Sequence, residues 1–154
     1  MRLALYQPEI PQNTGTLLRT AACLNLGVDI VEPCGFVFSD KHLKRAGMDY
    51  SDLATVVRHN DWDDFQAVRQ TQDGRRLVLL TTKGAVPYTE FSFHENDVLL
   101  LGNEGSGVPE TVHKCVDARI TVPMVPDMRS LNMAVAAVMV LGEALRQVSQ
   151  FPKS

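Results

Sequence analysis

The chain has 154 residues, 45% of them hydrophobic and 21% charged, with a formal net charge of -3. That is enough for one domain with a real core and too little to expect two; no apolar run reaches the length of a membrane span. The start "MRLALYQPEI" lacks the apolar stretch and cleavage site of an export signal, and the acidic balance argues against a chain that coats nucleic acid without specificity.

In chain order, "RLALY" (Arg2–Tyr6) reads as a first strand. "NTGTLLRTAACLNLG" follows as a helix, with Leu17, Leu18, Ala21, Ala22 and Leu24 inward, Asn13 or Thr14 as cap and Gly27 as stop. "DIVEP" (Asp29–Pro33) is a short strand. Residues Asp40 to Ala46 make a basic helix ended by Gly47, carrying Lys41, Lys44 and Arg45. "LATVVRH" (Leu53–His59) is strand-like, and "NDWDDFQAVRQTQDG" is a helix capped by Asn60 or Asp61 and closed by Gly74. "RLVLLTT" (Arg76–Thr82) and "DVLLLG" (Asp97–Gly102) are buried strands. "PETVHKC" starts a short helix with Pro109 in its first turn, "ARITV" (Ala118–Val122) is a strand, and Ser130 caps a long final helix.

Strands without alternation are covered on both faces, and strand–helix alternation at this spacing predicts a mainly parallel α/β sheet. Ligands of such sheets sit in the loops at the carboxyl ends of strands. The final helix is apolar nearly all round, from Leu131 to Leu141. Burying it in so small a domain calls for a second chain, so a homodimer using this helix is expected; a central core helix in a monomer is the competing reading. Cys23, Cys34 and Cys115 are odd in number and widely spaced, which suits a reducing cytoplasm and small buried hydrophobes.

Three loops hold residues that could carry chemistry. In "PQNTGTLLRT", a helix start and the guanidinium of Arg19 suit a phosphate, with Asn13 and Arg19 expected on one side of the helix; an ordinary cap and a surface arginine are the plain reading. In "VLLLGNEGSGVPE", Gly102, Gly105 and Gly107 follow a strand and flank Asn103 and Glu104. The glycines are expected to clear room for a flat ligand, and Glu104 to accept hydrogen bonds that stiffen the loops or to favour a cation. The spacing is not a dinucleotide fingerprint and no phosphate-loop lysine is present, so a cofactor without phosphates is favoured. In "VPMVPDMRSLNMA", Pro123 and Pro126 hold an extended loop ending at Ser130, with Arg129 and Asn132 beside it. Lys83, in "TTKG", follows a strand end and could face the same cleft. His42, His59, His94 and His113 show no metal spacing, and no G-x-S-x-G elbow is present, so neither a metal site nor a serine hydrolase is expected.

Together, "PQNTGTLLRT", "LLLGNEGSGVP" and "VPMVPDMRSLNMAVAAVM" resemble, in order and over the whole chain, the three motifs of the SPOUT family of RNA methyltransferases. "IVEPCGF", "RAGMDY" and "LTTKG" look most like the members that methylate the wobble-nucleotide ribose 2'-hydroxyl in the tRNA anticodon loop. The resemblance implies a single SPOUT domain over residues 1–154 without an added RNA-binding domain, with a C-terminal trefoil knot and a family dimer. It implies S-adenosylmethionine as cofactor, held around Leu80, Gly102, Asn103, Gly107, Val122, Met124, Ser130 and Leu131. It implies Asn13, Arg19, Glu104 and Asn132 as the catalytic neighbourhood, with Arg19, Lys41, Lys44, Arg45, Lys83 and Arg129 as cationic contacts to tRNA. The alternatives are a ribosomal RNA 2'-O-methyltransferase and a non-catalytic RNA-binding factor.

Overall fold

A computed structural model describes residues 1–39, 41, 55–72, 75–83 and 86–153. Its strands are β1 (Arg2–Tyr6), β2 (Gly27–Val31), β3 (Val56–His59), β4 (Leu77–Leu80), β5 (Val86–Pro87), β6 (Val98–Leu101) and β7 (Ala118–Thr121). Its helices are α1 (Pro11–Cys23), α2 (Trp62–Gln70), α3 (Glu110–Cys115) and α4 (Met133–Gln147). Among the described residues the strands form one sheet in the order β3-β2-β1-β6-β4-β7-β5, every pair parallel.

The apolar runs that gave no alternation are covered on both faces, as their composition requires. Leu3, Leu5, Val28, Ile30, Leu99 and Leu101 join Leu17, Leu18 and Ala21 of α1 and Ala137, Val140 and Leu141 of α4 in one core. Ala4, Val31, Leu77, Leu79, Val98 and Leu100 face the other way, against Phe65 of α2 and Val112 of α3. The switch of face from one residue to the next is the period of two of an extended chain.

Several boundaries differ from the sequence reading, each for a local reason. α1 starts at Pro11 with Ile10 as N-cap, so neither Asn13 nor Thr14 caps it. It ends at Cys23, and Asn25 takes the left-handed turn at φ 55. Gly27 is therefore not the stop; it opens β2, paired with Arg2. Asp61 caps α2 by accepting the Asp64 N–H at 2.8 Å. Pro109 is the N-cap of α3 rather than a first-turn residue. Asn132, not Ser130, caps α4: its Oδ1 accepts from the Ala134 and Val135 N–H groups at 2.9 and 3.2 Å. β5 and the 3-10 turn Tyr88–Glu90 had no signal strong enough to read. The expected helix at Asp40–Ala46, the start of the strand at Leu53 and the Gly74 stop lie outside the described residues, apart from Lys41, which is helical and exposed. Nor are all three cysteines buried: Cys23 and Cys115 are exposed and Cys34 is half-buried.

The register of β7 explains why the site gathers where it does. Leu80 of β4 and Val86 of β5 both stand level with Ile120, on opposite flanks of β7. β4 and β5 thus lie on opposite flanks of β7. On the α2 face, His59 Nε2 and Asp29 Oδ1 meet at 2.9 Å, and Asp29 Oδ2 accepts from Arg2 Nε at 2.8 Å; His59 and Asp29 are both buried.

α4 buries Ala134, Ala137, Val140, Leu141, Ala144 and Leu145. Its other side leaves Val135, Val138 and Met139 exposed by 53%, 41% and 42%. It is therefore not a central core helix of this chain. Leu100, fully buried in the middle of the sheet, sets the scale of the core: Leu100→Ala is expected to lower the unfolding free energy by about 2–5 kcal/mol in urea titration.

Candidate active site at the carboxyl ends of the strands

Three loops that are far apart in sequence meet above β1, β4, β6 and β7. The first joins β1 to α1, the second follows β6, and the third leads from β7 into α4. α1 has no side-chain cap of its own, which leaves backbone N–H groups at its amino end to be satisfied from elsewhere. Glu104, from the second loop, supplies the acceptor. Its Oε2 accepts from the Glu9 N–H at 2.8 Å and its Oε1 from the Ile10 N–H at 3.3 Å. A carboxylate at this end of a helix is also favoured by the helix dipole.

Asn13, 6% exposed in the first turn of α1, connects the other two loops. Its Nδ2 lies 3.5 Å from Glu104 Oε1, a long contact, and its Oδ1 accepts from Asn132 Nδ2 at 3.0 Å. Asn132 in turn caps α4. Glu104, Asn13 and Asn132 thus form a polar chain that ties the starts of two helices to the loop after β6. Both amide groups use an oxygen and a nitrogen at once, which an ionised carboxylate, an acceptor only, could not reproduce at either position.

The second loop is shaped from within. Asn103 and Gly107 exchange backbone hydrogen bonds at 2.9 and 2.8 Å. Asn103 Oδ1 accepts from the Gly105 and Ser106 N–H groups, and its Nδ2 donates to the Gln7 carbonyl at 2.7 Å. A Cβ on Gly102 would stand 2.8 Å from the Gly107 carbonyl carbon, and Gly107 itself has φ +68. These two glycines are demanded by the close return of the loop upon itself. The expectation that the glycines clear space for a ligand is corrected at Gly102, where the missing side chain makes room for Gly107; a Cβ at Gly107 would meet nothing within 4 Å.

A cleft of about 590 Å³ opens among the loops, within the range usual for small-molecule sites. Its walls include Leu80, Gly102, Asn103, Gly107, Val122, Met124, Ser130 and Leu131, every residue expected to contact a cofactor. Asn13, Glu104 and Asn132 also line it, as do Lys83 and Arg129. Arg19 does not. Six residues beyond Asn13 is about 240° around a helix, so the two do not share a side, and Arg19 is exposed where Asn13 is buried. Lys41 is exposed and outside the cleft, and Lys44 and Arg45 lie outside the described residues. Thr81, Thr82 and Thr121 line the cleft without having been singled out, and so does His113, which was weighed only as a metal ligand. For the three threonines, their place at the ends of β4 and β7 was the available signal. Burial, with Glu32 adding to it, pushes the Cys34 thiol up to about 11, so it is neutral at ordinary pH and a poor nucleophile. Among the described residues no group of three or more His, Cys, Asp or Glu is placed to hold a metal ion.

The model of the SpoU rRNA Methylase family matches residues 1–142. The chain belongs to this family. The resemblance carried by the three loops is thereby borne out. A SpoU relative from Beijerinckia indica subsp. indica, a tRNA (cytidine(34)-2'-O)-methyltransferase, is 58% identical over 151 residues, covering 98% of this chain and 94% of that protein. The Escherichia coli K12 protein of the same name is 39% identical over 150 residues, covering 96% and 94%. A solved structure described as "Structural insights into the 2-OH methylation of C/U34 on tRNA" is 39% identical with a TM-score of 0.85, over 95% of this chain and 94% of that one. The SpoU methyltransferase AviRb from Streptomyces viridochromogenes, in complex with AdoMet, is 26% identical with a TM-score of 0.83, over 96% of this chain but 57% of its own.

The amide link between α1 and α4 is directly measurable. Asn13→Ala and Asn132→Ala, alone and together, are expected to show a coupling free energy of about 0.5–3 kcal/mol by chemical denaturation. Additive losses would mean that the contact holds nothing.

Proposed function

We infer that this chain transfers the methyl group of S-adenosylmethionine to the ribose 2'-hydroxyl of nucleotide 34 in the anticodon loop of tRNA, acting on C or a modified U, with leucine isoacceptors the expected substrates. The observation that carries the reading is the Glu104–Asn13–Asn132 chain, which closes three loops around one cleft, in a sequence whose near-full-length relatives bear that activity in their names. A ribosomal RNA substrate has less support: the AdoMet-bound rRNA methyltransferase from Sinorhizobium meliloti, 30% identical, matches over only 55% of its own length.

The cleft fits such a cofactor. Apolar side chains of Leu80, Val122 and Leu131 alternate with the turned main chain of residues 102–107, which offers edges to a flat purine without a phosphate cradle. Leu80, Gly102, Asn103, Gly107, Val122, Met124, Ser130 and Leu131 would hold it. When bound, it supplies an activated methyl group on a cationic sulfur. The chain's own task is to position the ribose and help its hydroxyl lose a proton. Glu104 spends its charge on the amino end of α1 and so keeps the loops in place; it is a positioning residue, as are Asn13 and Asn132. Lys83 and Arg129, on the cleft wall, meet the RNA backbone, and Lys41, Lys44 and Arg45 add cationic contacts to it.

Arg19 holds the phosphate of the target nucleotide and polarises its hydroxyl. Its pKa is normally too high for it to act as the base itself, so the proton leaves by a phosphate-assisted route. Because Arg19 stands outside the cleft of its own chain, this role goes with a homodimer. The apolar face of Val135, Val138 and Met139 on α4 is the surface proposed for that dimer. α1 packs beside α4, so Arg19 of one protomer would border the cleft of the other. Residues 1–154 act as one catalytic domain, in the cytoplasm with its tRNA.

Tritium from labelled cofactor is expected in bulk tRNA, at the ribose of nucleotide 34 after mapping; label confined to ribosomal RNA would replace this reading with the alternative. Arg19→Ala is expected to abolish transfer while cofactor affinity by calorimetry stays within about twofold, a shift of under 0.5 kcal/mol. Val135→Glu with Met139→Glu is expected to give a monomer in sedimentation. A dimer that survived both charges would move the interface elsewhere.

A further inference from the structure

The segment after β2 holds an aromatic side chain that stands outside both core clusters of the described residues. Phe38 packs against the core beneath α1, and Arg58 of β3 lies over its ring, 4.9 Å from the centroid. Arg58 is also paired with Glu32, so its charge is already met and its plane is held. Phe36 is different. It is half-buried, it belongs to neither core cluster, and among the described residues its one ring partner is Phe38, at 6.4 Å between centroids and 29° between planes. Val37 between them is 65% exposed. A half-buried phenylalanine on the outside of the core, inclined at 29° to a second ring that is itself backed by a guanidinium, offers an aromatic surface.

This stack adjoins the cleft. The Gly35 N–H donates to the Pro8 carbonyl at 2.9 Å. A Cβ on Gly35 would stand 3.0 Å from Glu9 Cγ, and a Cβ on Gly105, in the cleft wall, 3.0 Å from Glu9 Oε2. The Glu9 N–H is bonded to Glu104. One residue thus separates the aromatic segment from the loop that walls the site. In sequence the same segment runs on through "FVFSDKHLKR", two rings followed by Lys41, Lys44 and Arg45, a composition suited to single-stranded RNA, whose unpaired bases stack on aromatic faces.

We propose that Phe36, backed by Phe38 and Arg58, is the stacking platform for the unpaired base next to the nucleotide held in the cleft. The inference rests on the reading of the substrate as an RNA loop and adds which side chain grips the neighbouring base. Since Glu9 and Glu32 lie along the same path, the contact is with a base face and not with the phosphates. Phe36 is a specificity residue here, because it touches the substrate away from the reacting atoms.

The test uses an anticodon stem-loop RNA with the full chain. Phe36→Ala is expected to raise KM for that RNA about tenfold, the scale of one lost base–aromatic stack, with kcat and cofactor affinity unchanged. Phe36→Trp restores KM; Phe36→Leu, which keeps the apolar bulk without a π face, does not. Removing the neighbouring base from the RNA penalises the native protein by a similar factor and the Phe36→Ala variant little. An unchanged KM in Phe36→Ala, or a Phe36→Leu protein equal to the native one, overturns the proposal and leaves the face to some partner other than RNA. The same comparisons are read by equilibrium binding of the stem-loop, which needs no methyl transfer, so a failure of the methyltransferase reading and a failure of the platform are separable.

Discussion

Glu104 meets the amino end of α1, and the site is assembled around that meeting. The contact solves a problem internal to the fold: a helix that begins at a proline, without a capping side chain, needs an acceptor from another part of the chain. Supplying it from a residue 95 positions away in sequence fixes the distance between two loops at the same stroke. Asn13 then passes the constraint on to Asn132. Stability and site geometry are one set of bonds here, so a substitution that loosens the site also costs the fold.

Much of this was legible in the sequence, but unevenly. The buried strands stood out because runs such as "VLLL" and "LVLL" carry no polar alternation, and only a parallel sheet covered on both faces accommodates that. The three loops stood out because polar and glycine residues at strand ends have little other reason to be there. What could not be read was how side chains divide their hydrogen bonds. Ser130 looked like the cap because serine at a helix start commonly is one; Asn132 takes the role because its second polar group is needed by Asn13. Asn13 looked like a cap for the same reason, and a proline two residues earlier displaced it. These choices are decided by contacts across the chain.

The same limit applies to the glycines and to Arg19. Glycine in a loop signals a close approach but not of what; Gly102 is approached by its own loop. Arg19 sits in the right motif, yet helical rotation carries it away from Asn13 and it does not line the cleft of its own chain; its proposed role depends on the proposed dimer. β5, two residues long, owes its existence to the flank of β7 that it covers. An element so short has no period to detect.

The buried Asp29–His59 pair on the far face of the sheet has a consequence of its own. Asp29 and His59 lie on adjacent strands, two places apart in the ladder, and meet because β2 and β3 are aligned as they are. Sliding β3 by one residue would turn its imidazole toward the greasy layer under α1 and strand the acid without its neighbour. The Arg58–Glu32 pair at the surface adds to this hold on a strand only four residues long. The buried pair works as a peg in a hole, admitting one way of zipping the margin and rejecting the offset ones.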